Sequence, residues 1–421
     1  MILGAGPAGL CAALPLGDDA LILERRDDIG GIAGSFEFHG VIFDMGGHSF
    51  HSPHPEVRNL VFSSLEMFEQ TRDARCYAYG SLIPYPFQKY FHELKDPKVV
   101  AECEQGLSLS EGAADAANLE SYLRRRFGVG LAEHFLLPYN RKQWGADLRR
   151  LSTDWVSERI AAARGNHERF ETSGGKRKPL QDDTTVAYPS RGGFGEITKA
   201  LARRVRNLRL ATSVKRIDPL KNKIYTEAGE VLPWRRLVST LPLNKLLEMS
   251  EHVPESLRLE ISRLEHISLK LVFVVVGRPV ETSIQRIYTA EPRIPAHKIV
   301  VASNCSDYLR SLPCHGFLGE VACAPHSHLN AKTTEDGFVT GLLELGLIKD
   351  AREIVATSST DLGFAYPAPT MDRSAIVDRA KSWLEGHGIY SIGRFGEWAY
   401  INSDEAMFRG LAIAKRIAAE L

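Results

Sequence analysis

Three glycines and one acid near the start of the chain have the types and spacing to hold a dinucleotide. The run Gly4-Ala5-Gly6-Pro7-Ala8-Gly9 is followed by Glu24, twenty residues after the first glycine. Gly4 permits a tight turn, Gly6 lets the backbone approach a pyrophosphate, and Gly9 lets helix and strand pack closely. Pro7 and Ala8 open the helix, whose first N–H groups face the phosphates. Glu24 can accept the ribose hydroxyls. Positioning falls to two apolar stretches, Met1-Ile2-Leu3 and Ala20-Leu21-Ile22-Leu23, which read as buried strands on either side of that helix.

The next segment distinguishes a flavin from a nicotinamide. Glu24-Arg25-Arg26 leads to Gly30-Gly31 and Gly34, then to Phe43-Asp44-Met45-Gly46-Gly47-His48. Glycine doublets so soon after the acid suit backbone pressed against a long flat group, although two ordinary β-turns would also use them. Joined to the fingerprint, the succession resembles FAD-binding proteins of the glutathione-reductase and amine-oxidase type.

Composition limits the remaining choices. The chain has 421 residues, 44% hydrophobic and 25% charged, enough for two or three domains with a real core. Lys+Arg 52 cancels Asp+Glu 52, so no net field attracts nucleic acid or an anionic membrane. The apolar run 271–276 is far shorter than the ~20 residues of a membrane span. No signal peptide precedes the first motif. The six cysteines form no CxxC pair, which favours reduced thiols, a cytoplasmic protein and no metal site.

Along the chain, residues 82–88 carry two prolines and read as neither helix nor central strand. Helical text follows, with pieces at 119–127 and 130–137. The polar segment 165–183 reads as a loop and a lid. Residues 208–217 and 223–225 suggest a hairpin. Residues 237–242 look like a buried strand leaving the nucleotide domain, and a second sheet is expected across about 260–325. An amphipathic helix closes the chain at 406–421.

Eight motifs in order resemble the flavin-dependent UDP-galactopyranose mutase family, more its eukaryotic-type branch. They are Gly46-Gly47-His48, Tyr85-Pro86-Phe87-Gln88, Pro138-Tyr139-Asn140 with Trp144, Glu158-Arg159, Tyr188-Pro189-Ser190-Arg191-Gly192-Gly193, Ser303-Asn304, Tyr366-Pro367-Ala368-Pro369 and Gly393-Arg394-Phe395-Gly396. The resemblance implies an α/β fold: a doubly wound, Rossmann-like FAD-binding domain (1–80, 188–245 and 386–421), an inserted mostly helical domain (81–187) and an antiparallel substrate-side sheet (246–385). It implies FAD, active when reduced, with NADPH or NADH as candidate reductants. The implied reaction is pyranose–furanose interconversion, in which flavin N5 attacks the anomeric carbon and the nucleoside diphosphate leaves and returns. The implied partner is a small nucleotide sugar, and oligomeric state stays open.

By motif position, Arg159, Tyr366 and Tyr400 look like diphosphate ligands and Tyr288 like a further one. Tyr85, Phe87, Gln88, Tyr139, Asn140 and Trp144 look like the nucleoside pocket. His48 would sit beside the isoalloxazine, Arg394 and Gly396 at its other end, and Val214 at the adenine. A plainer reading makes Arg159 an ion-pair partner of a helical glutamate. Three positions depart from the family: Lys298 stands for a second diphosphate arginine, Cys305 for a tyrosine, and Ile401-Asn402-Ser403-Asp404 for a longer loop. These favour a nucleotide sugar other than, or in addition to, UDP-galactopyranose. They also leave open an FAD oxidoreductase of the amine-oxidase or protoporphyrinogen-oxidase type, and a non-catalytic FAD protein.

Overall fold

The computed structural model describes residues 1–110, 116–157, 159–163, 170–172, 175–177, 184–325 and 327–420. Glu158 and most of the expected lid, 165–183, lie outside the described residues.

Short apolar segments build a five-stranded parallel sheet in the order 208–209, 22–23, 2–3, 237–239, 389–391. Ile2 lies between Ile22 and Val238, and Leu3 between Leu23 and Ser239. Both faces are covered, so the strands are mostly apolar rather than alternating. Ile2, Ile22 and Val238 join a core with Leu10 of helix Pro7–Ala13 and Met407 of helix Ser403–Glu420. Leu3, Leu23 and Leu237 join a second core with Leu246, Leu257 and Ile376 of three further helices. Helices on both faces make the sheet doubly wound. The C-terminal helix begins three residues earlier than expected and lies on the first helix at glycine: a Cβ on Gly410 would meet the Ala8 carbonyl oxygen at 2.3 Å.

Two expectations about this half are corrected. Leu208 and Arg209 pair with Ile22 and Leu23 in the parallel sheet, and the antiparallel ribbon starts only at Val214. The strand Leu237–Ser239 does not leave the nucleotide half but runs through it, flanked by the first strand and by Ile389–Ser391.

The second sheet is larger than expected. Its seven strands run in the order 354–367, 266–276, 315–323, 298–301, 286–289, 74–78, 81–84. All neighbours are antiparallel except Arg286–Thr289 against Ala74–Ala78. Ser81–Pro84 is an edge strand with its proline at the end, where no ladder N–H is required. A helical turn, Phe87–Tyr90, follows it, so residues 82–88 hold an edge rather than a central strand, as expected, but also the start of a helix, which was not. Period-two alternation divides the faces. Val272, Val274, Ile287, Ile299 and Val301 pack on Phe338 and Leu342 of helix Ala331–Glu344. Leu269, Leu271, Phe273, Val300 and Leu318 face the main core, on the side where Arg286, Tyr288, Lys298 and Glu320 line a cavity.

The helical layer follows its caps. Asp96 accepts from Lys98 N and Val99 N to start Pro97–Ser108, and a capping box of Asn118 and Ser121 starts Leu119–Leu131. Gly128, at φ +74°, breaks that helix where the sequence placed a gap. Lys142, on helix Leu137–Trp144, donates to the carbonyl oxygens of Thr289, Glu291 and Ile294 and so fastens this layer to the large sheet. Among the described residues, no helix is long and apolar enough to cross a membrane.

Candidate active site

A cavity of about 1010 Å³ runs from the first glycine turn to Tyr400. Gly4, Gly6, Pro7, Ala8, Glu24 and Arg25 line one end, with Val214 close by. Gly4 has φ +99°, and a Cβ on Gly9 would sit 2.0 Å from the Gly4 carbonyl oxygen. Gly9 is therefore absent from the wall, yet it permits the turn that forms it. The Glu24 oxygens accept from Ala5 N at 2.8 Å and Arg26 N at 3.0 Å, and each keeps a lone pair for a hydroxyl.

Gly31, Gly46, Gly47 and His48 line the middle. Gly46 has φ +119°, and a Cβ on Gly47 would meet Val300 at 2.6 Å, so this turn lies flush on the large sheet. His48 stacks on Phe194 with ring centroids 4.9 Å apart. Burial, aided by the charges of Lys298 and Arg394, lowers its pKa to about 3, so the ring is neutral. Its Nδ1 is buried without a hydrogen-bond partner. Across the cavity Arg394 donates to the Ile401 and Ala365 carbonyl oxygens. Gly396, expected beside it, is turned inward, where a Cβ would meet Ser391 Oγ at 3.0 Å; Gly393, at φ +83°, lines the cavity instead. A dinucleotide turn, flat glycine backbone and an unpaired imidazole nitrogen along one channel fit FAD.

The aromatic residues gather at the far end. Tyr85, Phe87, Gln88, Tyr139, Asn140 and Tyr288 all line the cavity. Tyr85 stacks on Tyr288 at 4.5 Å, and Phe87 on Phe135 at 4.3 Å. Gln88 Nε2 donates to Ala161 O and Asn140 Nδ2 to Leu136 O, which fixes both amides. Trp144 does not reach the wall. It is fully buried, 5.3 Å behind Trp155 and 5.2 Å from Tyr400, and Trp155 lines the cavity in its place.

Arg159 makes no ion pair with a carboxylate among the described residues. Its guanidinium donates to the Tyr400 carbonyl oxygen and to Asn402 Oδ1, and lies 3.9 Å over the Tyr400 ring. Asn402 belongs to the shortened loop. The Tyr400 hydroxyl accepts from Gln143 Nε2 at 3.2 Å, leaving its own proton to donate. Tyr366 differs, because its hydroxyl already donates to Glu320 Oε2 at 2.7 Å.

Glu320 occupies the cavity floor, 1% exposed. Lys298 Nζ lies 2.7 Å from its Oε1, and Gly47 N donates to the same oxygen at 2.7 Å. Burial alone would raise its pKa, but Lys298, His297 and the hydrogen bonds from Lys298 and Tyr366 outweigh that and hold it at about 2. Burial lowers His297 to about 3. That ring is then neutral, and at 3.6 Å from Glu320 it adds little, so Lys298 supplies the pairing charge. Lys298, which lines the cavity at the position of the family's second diphosphate arginine, is therefore already paired with Glu320. Cys305, at the position of the family's tyrosine, is absent from the wall; burial pushes its thiol up to about 12, and its carbonyl accepts from Gln70.

Sequence reasoning missed Glu320, Arg286, His297, Trp155 and Gly393. Glu320 had a signal, as the one charge within the apolar run Phe317-Leu318-Gly319-Glu320-Val321. Arg286 had a weaker one, two residues before Tyr288 on a short strand.

The family model for flavin-containing amine oxidoreductases matches residues 7–297. Among solved structures, a reduced UDP-galactopyranose mutase aligns with TM-score 0.91 and 25% identity, over 100% of this chain and 93% of that one. A putative protoporphyrinogen oxidase from an Exiguobacterium species aligns with TM-score 0.73 and 15% identity, over 100% and 98%. Cyclohexylamine oxidase from Brevibacterium oxydans aligns with TM-score 0.71 and 18% identity, over 100% and 98%. The two oxidases share the fold. With more than half of its length matched and a cradle suited to FAD, the chain belongs to the flavin-containing amine oxidoreductase family.

Proposed function

We propose that the protein is a flavin-dependent nucleotide-sugar mutase, which interconverts the pyranose and furanose forms of a sugar linked to a nucleoside diphosphate. The observation that carries this reading is Arg159, whose guanidinium is held among the described residues only by neutral oxygens, beside the Tyr400 hydroxyl with its proton to donate. Diphosphate oxygens are stronger acceptors than a carbonyl or an amide, so an arriving diphosphate exchanges with them. The 25% identity to a reduced UDP-galactopyranose mutase across the whole chain supports the same reading.

Bound FAD, reduced by NADPH or NADH, supplies the nucleophile for the anomeric carbon. The chain's own residues do the remaining work. Arg159 and Tyr400 stabilise the departing diphosphate and keep it in place for its return. Tyr85, Phe87, Gln88, Tyr139 and Asn140 hold the nucleoside, rings against the base and amides at its edge. Glu320 keeps Lys298 and Tyr366 fixed on the floor. Arg159 and Arg286, neither of which is paired with a carboxylate among the described residues, disfavour a protonated amine in the cavity, which weighs against the amine-oxidase alternative.

The test is to mix dithionite-reduced, FAD-loaded protein with a panel of nucleotide sugars and read product ring size by NMR. Interconversion without net oxidation is expected. Net two-electron turnover of an amine, with no change in any sugar ring, would overturn the reading.

A further inference from the structure

The large sheet provides a ruler for the cavity floor. Tyr288 lies opposite Lys298, and Lys298 opposite Glu320, in one row across three strands. Arg286 lies opposite Val300, one side-chain row further along, about 7 Å away at the usual rise of a strand. Val300 is the residue on which Gly47 rests. Arg286 therefore stands beside the Gly47-His48 turn at mid-cavity, whereas Arg159 is docked at Tyr400 and Asn402.

Lys298 and Arg286 both face the middle of the cavity from this sheet, and they differ. Lys298 is neutralised by Glu320. Arg286 has no carboxylate within ion-pair distance among the described residues. Burial disfavours its charge, yet the Tyr288 hydroxyl and the surrounding groups keep it protonated. A further guanidinium, Arg72, lies 5.4 Å from the centre of the Tyr85 ring, and Tyr85 stacks on Tyr288. A neutral sugar would offer this region only hydroxyls. A carboxylate would match the planar guanidinium fork and accept from the phenol as well.

We infer that the sugar of the substrate carries a carboxylate, as in a nucleoside-diphosphate uronic acid, and that Arg286 with the Tyr288 hydroxyl binds that carboxylate beside His48. This rests on the mutase reading above, in which the diphosphate lies at Arg159 and Tyr400 and the sugar near the flavin.

The test is a binding titration of the FAD-loaded protein. UDP, GDP, CDP, ADP and dTDP are compared first, and the base that binds tightest is then tested as its galactose and galacturonic-acid conjugates. The acid conjugate is expected to bind at least about tenfold tighter, the usual worth of one charge-assisted hydrogen bond. In Arg286→Gln the ratio falls to about one, and in Arg286→Lys part of it survives, with the FAD absorbance spectrum checking that each variant is folded. A ratio near one in the unaltered protein, while the nucleoside diphosphate itself binds, would overturn this inference and leave the mutase reading standing. Failure of all five nucleoside diphosphates to bind would overturn both.

Discussion

Lys298 and Glu320 face each other from neighbouring antiparallel strands, and their side chains close a 2.7 Å ion pair on the cavity floor. The same carboxylate accepts from Gly47 N and from the Tyr366 hydroxyl, so one buried acid joins the flavin-side turn, a cation and a phenol. Removing one partner of such a pair strands the other charge. Lys298→Met is expected to cost about 3 kcal/mol in urea unfolding, and the double variant with Glu320→Gln to recover part of that loss. Equal stability of single and double variants would show that the pair contributes nothing.

Acid should weaken the fold through the cavity histidines. Folded His48 and His297 have pKa values near 3, against 6.5 for a free imidazole. The unfolded chain therefore binds more protons between those values, and stability falls as pH drops from about 6.5 towards 3. Glu320, held at about 2 against 4.5, adds a loss of the same sign below 4.5. Asp44 acts oppositely: burial raises it to about 6, so its contribution declines as pH rises from 3.8 to 6. Melting temperature against pH should show a shallower acid limb in His297→Gln and a steeper one in Asp44→Asn.

Arg159→Ala should lower kcat/KM on the nucleotide sugar by about a hundredfold or more, since a charge-assisted contact to a leaving group is lost. Tyr400→Phe removes one neutral donor and should cost about tenfold. Steady-state kinetics on the reduced enzyme distinguish the two. A larger loss in the tyrosine variant would mean that the anion sits elsewhere.

The two tryptophans should respond differently. Trp144 is fully buried and away from the wall, so Trp144→Ala should destabilise the protein by about 3–5 kcal/mol. Trp155 lines the cavity, and Trp155→Ala should act mainly on nucleotide affinity. Thermal melts and titrations of both variants check the assignment.

The nucleotide end was legible because its residues are local and typed by backbone demands: only glycine fits at 4 and 9, and Glu24 follows at a fixed spacing. The aromatic pocket was legible as motifs, but not residue by residue. Nothing in sequence separates Trp144 from Trp155, since both are aromatic residues in helical text and only the packing of the layers puts one in front of the other. The floor was least legible. Glu320 and Lys298 meet through strand register, a relationship between segments 22 residues apart that neither segment carries alone. The large sheet was underestimated for the same reason, because its strands Ala74–Ala78 and Ile354–Pro367 are recruited from far outside the segment where its signal is strongest.

The strand Ile389–Ser391 and the helix seated at Gly410 lie about 400 residues along the chain from Ile2, yet they complete the same nucleotide half. During synthesis the strand at Ile2 and its glycine turn lack one wall until residues 389–420 have left the ribosome. Tight capture of FAD is thereby deferred until that segment is made. The large sheet, whose strands lie between residues 74 and 367, is free to assemble first as the platform on which that late closure takes place.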